Sequence, residues 1–282
     1  MMNPLQSGML WSKIFGYCCN LTIIITNSIQ INILRKRVRK RAYEKVLLSL
    51  SVCDLITGLI NSISLGLVLQ LARTFNQENL ATVTVVSWGF VVYYLTTVTL
   101  LHHMLNTLDR MFAVVYPLKH ISWMTNRRVN QAVMTAWLLP IIAIASNGTD
   151  TIIQKLSLAE LLKFTFTSLA GRLAVLVLAA DVIFVTSYGI IVCFILKLKK
   201  MDQNHSHRVT QMKVLFLCLG SVVIFVLSTT PFVVTYIIPW QKPKWLDLFS
   251  ISTYSLKSAA NSIFFLIQNK RLGKQRRLSS SM

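Results

Sequence analysis

The stretch NTLDRMFAVVYPLKH, Asn106 to His120, closes a long apolar run that begins near Thr82. An acid and a base, Asp109 and Arg110, stand side by side where the apolar sequence has barely ended. At about 1.5 Å of rise per residue, the helix from Thr82 to Tyr116 is roughly 50 Å long, which is more than a bilayer core of about 30 Å requires. An exposed ion pair at a membrane boundary contributes roughly 0–1 kcal/mol. The pair is therefore either incidental helix-end chemistry or a working part, and its surroundings decide which.

Those surroundings are apolar throughout. Of 282 residues, 54% are hydrophobic and only 13% charged, about half the charged share of a soluble protein, and the mean hydropathy is +0.58. Apolar blocks long enough to span a membrane occur at 14–34, 46–71, 82–116, 129–145, 169–196, 214–238 and 246–267. They predict an all-α membrane protein, a seven-transmembrane helix bundle in one domain, ending in a short basic tail at 268–282. The doubled halves and broken Gly/Pro-rich helices that mark transporters are not evident, so a transporter or channel is the lesser alternative. No H-E-x-x-H or G-x-S-x-G occurs, and an enzyme is not expected.

The net charge of +20 is unevenly placed. Arg35–Arg41 (RKRVRKR), Lys119, Arg127, Arg128, Lys197, Lys199, Lys200, Arg208 and the last basic residues fall on one side of the spans. By the positive-inside pattern the N-terminus is expected outside and the C-terminus inside, with the basic loop attracted to anionic inner-leaflet lipid. Nucleic acid is not an expected partner. No cleavable signal peptide is evident. The five cysteines all fall within spans, so no extracellular disulfide is expected. Asn147-Gly-Thr is a glycosylation sequon in the expected second outer loop.

Charged and amide side chains inside spans are expensive and therefore informative. Asn27, Asp54, Lys257 and Asn261 are four such residues on three spans, and Trp137, Tyr188 and Pro231 lie on three others. Single polar residues of this kind also serve as plain hydrogen-bonding links between helices.

Taken in order, these residues resemble a rhodopsin-like (class A) G-protein-coupled receptor over essentially the whole chain. Asp109-Arg110-Met-Phe-Ala-Val-Val-Tyr-Pro117-Leu118 is similar to the family's D-R-Y-x-A-[IV]-x-x-P-L. Leu50 and Asp54 match LxxxD, Asn27 the first-helix asparagine, and Trp137 the fourth-helix tryptophan. Tyr188, Pro231 and Phe225 match the fifth-helix tyrosine, the sixth-helix proline and its preceding aromatic. Asn261-Ser-Ile-Phe-Phe265 resembles N-P-x-x-Y. Departures are Met111 for tyrosine, Ser262 and Phe265 for the proline and tyrosine of the last motif, and Thr229 for the sixth-helix tryptophan. Ala180 replaces a proline, and Val85 replaces the disulfide cysteine.

The resemblance implies a cell-membrane receptor that activates heterotrimeric G proteins in response to an extracellular ligand. A non-signalling heptahelical protein is the alternative, given the altered last motif. Asp109 is expected to hold Arg110 at rest, with Pro117, Tyr188, Asn261 and Phe265 completing the switch. Gln211 stands where an acidic restraint is common, so raised basal activity is expected. Asn27, Asp54, Lys257 and Asn261 are expected to form an intramembrane polar network. Within it, Lys257, one helical turn before Asn261, pairs with Asp54 and replaces a sodium ion, so no cofactor is expected. His102 and His103 are adjacent and point about 100° apart, so they do not form one metal face. Trp137 and Pro231 are expected to set packing and a kink. Trp88, Tyr93, Tyr94, Tyr236 and Tyr254 are candidates for an outer ligand pocket. Val92 stands where amine receptors carry an aspartate, which disfavours a simple biogenic amine.

Overall fold

The computed structural model describes residues 4–37, 42–63, 78–153, 158–201, 220, 222–235 and 244–280. Its regular elements are α1 (Pro4–Arg35), α2 (Ala42–Ile63), α3 (Glu78–Val115), α4 (Pro117–Trp123), α5 (Asn126–Ile153), α6 (Leu158–Met201), α7 (Val222–Thr235) and α8 (Lys244–Ser280). No strand occurs among the described residues. Among the described residues each expected span contains helix, and several helices run past the expected bounds. α5 runs through the Asn147 sequon to Ile153, where a loop was expected. α8 continues to Ser280, so the basic tail is helical.

The side chains distribute as lipid requires. On α6, Leu173, Val177, Ala180, Phe184, Tyr188, Ile191 and Ile195 are buried, at the three- and four-residue steps that line one helical face. Its opposite face exposes Val175, Leu178, Val182 and Val185, all apolar. The same holds on α1, where Asn27 and Gln30 are buried while Leu21, Ile25 and Ile29 are exposed. Helices that are apolar all round, with their polar groups turned inward, suit a bilayer. Leu10–Arg35, Tyr43–Ile63 and Gly171–Lys197 are long and apolar enough to cross one, and Val222–Thr235 is a shorter apolar helix. α3 and α8 dilute their apolar character with the polar residues they bury, among them His102, His103, Asn106, Ser258 and Lys257.

α3 is the central post. It packs against α2, α5 and α6, and α1 lies between α2 and α8. The largest core cluster joins Tyr93 and Leu100 of α3 to the buried face of α6, then to Phe225 and Phe232 of α7 and Tyr254 of α8. Phe184 and Phe225 stack with centroids 4.0 Å apart. At the bundle's other edge, Phe15 of α1 stacks on Phe249 of α8 at 5.5 Å. α5 passes through Pro140 without breaking.

α1 and α2 approach closely at Gly58. A methyl group added there would stand 3.1 Å from Ile23 Cγ2 and 3.2 Å from Ile24 Cγ1, so a small residue sets this spacing, as at many membrane helix contacts. Gly58→Leu is expected to force the two helices apart at a cost of roughly 1–3 kcal/mol. A thermal melt of the purified chain in lipid nanodiscs checks this; an unchanged melting temperature would show that the contact does not set the spacing.

Candidate functional site

Among the described residues the polar groups of the bundle meet in four places, and α8 organises the first. Its sequence carries two interleaved pairs, Lys257 with Asn261 and Ser258 with Ser262, each four residues apart and so each on one face. The serine face meets α1 and α2. Ser258 donates to Asp54 Oδ1 at 2.9 Å, and Ser262 donates to Asn27 Oδ1 at 2.6 Å, while Asn27 Nδ2 returns a bond to Ile23 O at 2.9 Å. The other face meets α3 and α7. Asn261 Nδ2 lies 3.0 Å from His103 Nδ1, and Lys257 Nζ sits 3.4 Å from the centroid of the Tyr254 ring and 5.6 Å from that of Phe225.

The expected network is therefore divided. Asp54 joins α8 through Ser258, which carries no motif in the sequence, Asn27 joins it through Ser262, noted there as replacing a proline, and Asn261 joins His103 instead. The expected contact between Lys257 and Asp54 is not made. Lys257 is 3% exposed and its Nζ has no hydrogen-bond partner, and Asp54 Oδ2 is also unpartnered. The reason is angular: neighbouring helical residues diverge by about 100°, and it is Ser258 that faces Asp54. The four-residue repeat of serines was the available signal.

The second place ties α2, α3 and α5. His102 Nδ1 lies 2.8 Å from Val98 O, its Nε2 lies 2.8 Å from Ser49 Oγ, and Trp137 Nε1 donates to Ser49 at 2.9 Å. A carbonyl can only accept, so His102 carries its proton on Nδ1, and Ser49 donates to Nε2. One hydroxyl thus joins three helices, and Trp137 stands edge-on to His102 at 5.8 Å. His102 and His103 turn to different neighbours. Among the described residues no three His, Cys, Asp or Glu side chains gather to hold a metal ion.

The third place is the end that carries Asp109 and Arg110. Pro117 starts α4 at a position where its missing N–H is harmless. That short helix returns His120 to Asp109, with Nε2 and Oδ1 2.8 Å apart. Asp109 is buried, and no ion pair joins it to the half-buried Arg110. The partner expected for Asp109 is thus replaced by His120, eleven residues on, which the sequence reading passed over. Met111 and Val114 pack against the main core cluster. Tyr188 is buried on α6 against Phe184, at 5.2 Å between centroids. Phe265 is buried with Leu34 and Leu47, under the Arg37 guanidinium at 5.8 Å. Arg37 also pairs with Glu44 and donates to Asn269 Oδ1 at 2.8 Å.

The fourth place links α6 to α7. Thr229, the residue found in place of a tryptophan, lies 3.1 and 3.0 Å from the two carboxylate oxygens of Asp181. Pro231 follows two residues later, half-buried in α7. The aromatic pocket candidates do not converge. Tyr93 and Tyr254 belong to the main cluster, whereas Tyr94 faces Trp137 and donates to its carbonyl at 3.1 Å. The side chains of Trp88 on α3 and Asn147 on α5, and the whole of Tyr236 and Gln211, lie outside the described residues.

The family described as "7 transmembrane receptor (rhodopsin family)" matches residues 20–264, a stretch that runs from α1 into α8. A search of curated proteins finds no match. Loss of the Ser49 hydroxyl would strand both the Trp137 N–H and His102 Nε2. Ser49→Ala is expected to lower stability by about 1–3 kcal/mol for each buried group left unpaired, and Trp137→Phe by less, since it removes one partner only. Comparing the two melting temperatures checks the order; a smaller loss for Ser49→Ala would contradict the bridging role.

Proposed function

Because the chain belongs to the rhodopsin family of seven-transmembrane receptors, we propose that it senses an extracellular small molecule or short peptide and activates heterotrimeric G proteins through Asp109 and Arg110. The N-terminus lies outside, the C-terminus inside, and the chain resides in the cell membrane with its basic segments toward the inner-leaflet lipid. Seven spans form one receptor domain. Ligand binding favours one packing of the bundle over another through differential contacts.

One observation carries this reading. At the end where α3 presents Arg110, α4 projects Leu118 at 84% and Ile121 at 77% exposure, beside Lys119. An apolar knob flanked by cations, next to an arginine not paired with its own aspartate, is a surface shaped to receive an apolar, acidic partner segment. His120 occupies Asp109 and so leaves Arg110 without its usual restraint, which favours raised basal signalling.

Lys257 bears on the ion that the family's second-helix aspartate helps to hold. Asp54 accepts from Ser258, and a buried ammonium one residue away opposes a second cation. Lys257 thus supplies the positive charge of this layer in place of sodium. Exchange of sodium for potassium is expected to leave the melting temperature unchanged; a sodium-specific rise would argue for a retained ion site.

A ligand-free G-protein activation assay tests the main reading. Wild-type signal is expected above that of cells lacking the receptor. Arg110→Ala and Leu118→Asp are each expected to lower it about tenfold, equivalent to about 1.4 kcal/mol, at equal surface expression. Signal indistinguishable from receptor-free cells, with or without a ligand panel, would favour a non-signalling heptahelical protein.

A further inference from the structure

Lys257 is a single buried amine with two carboxylates near it. On one side stands Asp54 of α2, fastened to α8 by Ser258 and carrying a bare Oδ2. On the other stands Asp181 of α6, fastened to α7 by Thr229. Both carboxylates act electrostatically on Lys257. Among the described residues the buried carboxylates Glu44 and Asp109 are engaged elsewhere, with Arg37 and His120 respectively. Lys257 Nζ bonds to neither acid and rests on the face of the Tyr254 ring, 3.4 Å from its centroid, where the ring attracts a cation.

Thr229 makes the alternatives exclusive. Its hydroxyl has one proton, yet lies 3.0 Å from Asp181 Oδ2 and 2.9 Å from Phe225 O, the carbonyl one turn back on its own helix. When the proton goes to Asp181, α7 is tied to α6. When it goes to Phe225 O, the hydroxyl is satisfied within α7 and that tie is gone.

We propose that Lys257 is a shared counter-ion that pairs alternately with Asp54 and Asp181, and that its choice sets whether α7 is tied to α6. Paired with Asp54, Lys257 clasps α8 to α2 and leaves Asp181 to Thr229. Paired with Asp181, it displaces the Thr229 hydroxyl, which falls back on Phe225 O, and α7 is released. The two arrangements use the same groups with different partners, which is what a bistable bundle needs. Tyr254 is the resting place between them, and its ring, 5.0 Å from that of Phe232, keeps contact with α7.

The test is thermal unfolding of the full chain in lipid nanodiscs, a readout that does not depend on coupling to any G protein. A shared counter-ion turns to the remaining acid when one is removed. Asp54→Asn and Asp181→Asn are therefore each expected to cost little, and the double variant to cost more than their sum, by about 4 °C or more. The excess is expected to vanish when Lys257→Met is added and to persist with Lys257→Arg. Additive losses, or an excess that survives Lys257→Met, overturn the proposal. Thr229→Val supplies a second measurement if the double variant does not fold. It is expected to cost less in an Asp54→Asn background, where Lys257 already holds Asp181, than in the wild type; an equal or larger cost overturns the proposal.

Discussion

The constraint on which the bundle depends is that a polar group facing hydrocarbon has no water to fall back on, so each must find its partner inside. Here the partners are short. Ser49, Ser258, Ser262 and Thr229 are hydroxyl side chains that reach only neighbouring helices; Ser258, Ser262 and Thr229 each fix one crossing and Ser49 fixes two. Such bonds contribute on the order of 0.6 kcal/mol apiece in membranes. Their value lies in register: a rotation of α8 by one residue would exchange the serine face for the Lys257–Asn261 face and replace the bonds to Asn27 and Asp54 together.

α3 turns this constraint into a division of labour. His102 and His103 are neighbours in sequence and look in different directions, the first into the α2–α5 seam and the second toward α8. The seam side is saturated by Ser49 and Trp137. The α8 side keeps unpartnered atoms at His103 Nε2, Lys257 Nζ and Tyr254 Oη, beside a small cavity lined by Phe184, Phe225 and Phe264. One half of the bundle is pinned, and the half containing α7 retains room to rearrange.

The fold was legible in the sequence because lipid imposes a coarse rule on long stretches of chain. The apolar blocks, and the buried positions of Asn27, Asp54, His102, His103 and Lys257, follow from it directly. Partner choice was less legible. Asp109 beside Arg110 reads as a pair, yet side chains one residue apart on a helix diverge, and His120 arrives from α4 along the open direction. Ser258 was passed over because serine in a helix commonly bonds its own backbone, as Ser51 and Ser62 do here. Nothing in composition separates those two from Ser258. The ring of tyrosines failed as a pocket for a similar reason, since Tyr93 and Tyr94, being adjacent, face opposite clusters.

His120 has a further consequence. It lies two residues beyond Leu118 on a helix of only seven residues, so α4 has little stiffness with which to insulate one from the other. A molecule that seats on Leu118 must work against, or in favour of, the bond from His120 to buried Asp109. By linkage that influence is mutual: whatever packing of the bundle strengthens the His120–Asp109 bond changes the affinity of the docked molecule by the same factor. The inner surface is then a second address from which the bundle's balance is set, and a partner waiting there acts as an effector as well as a listener.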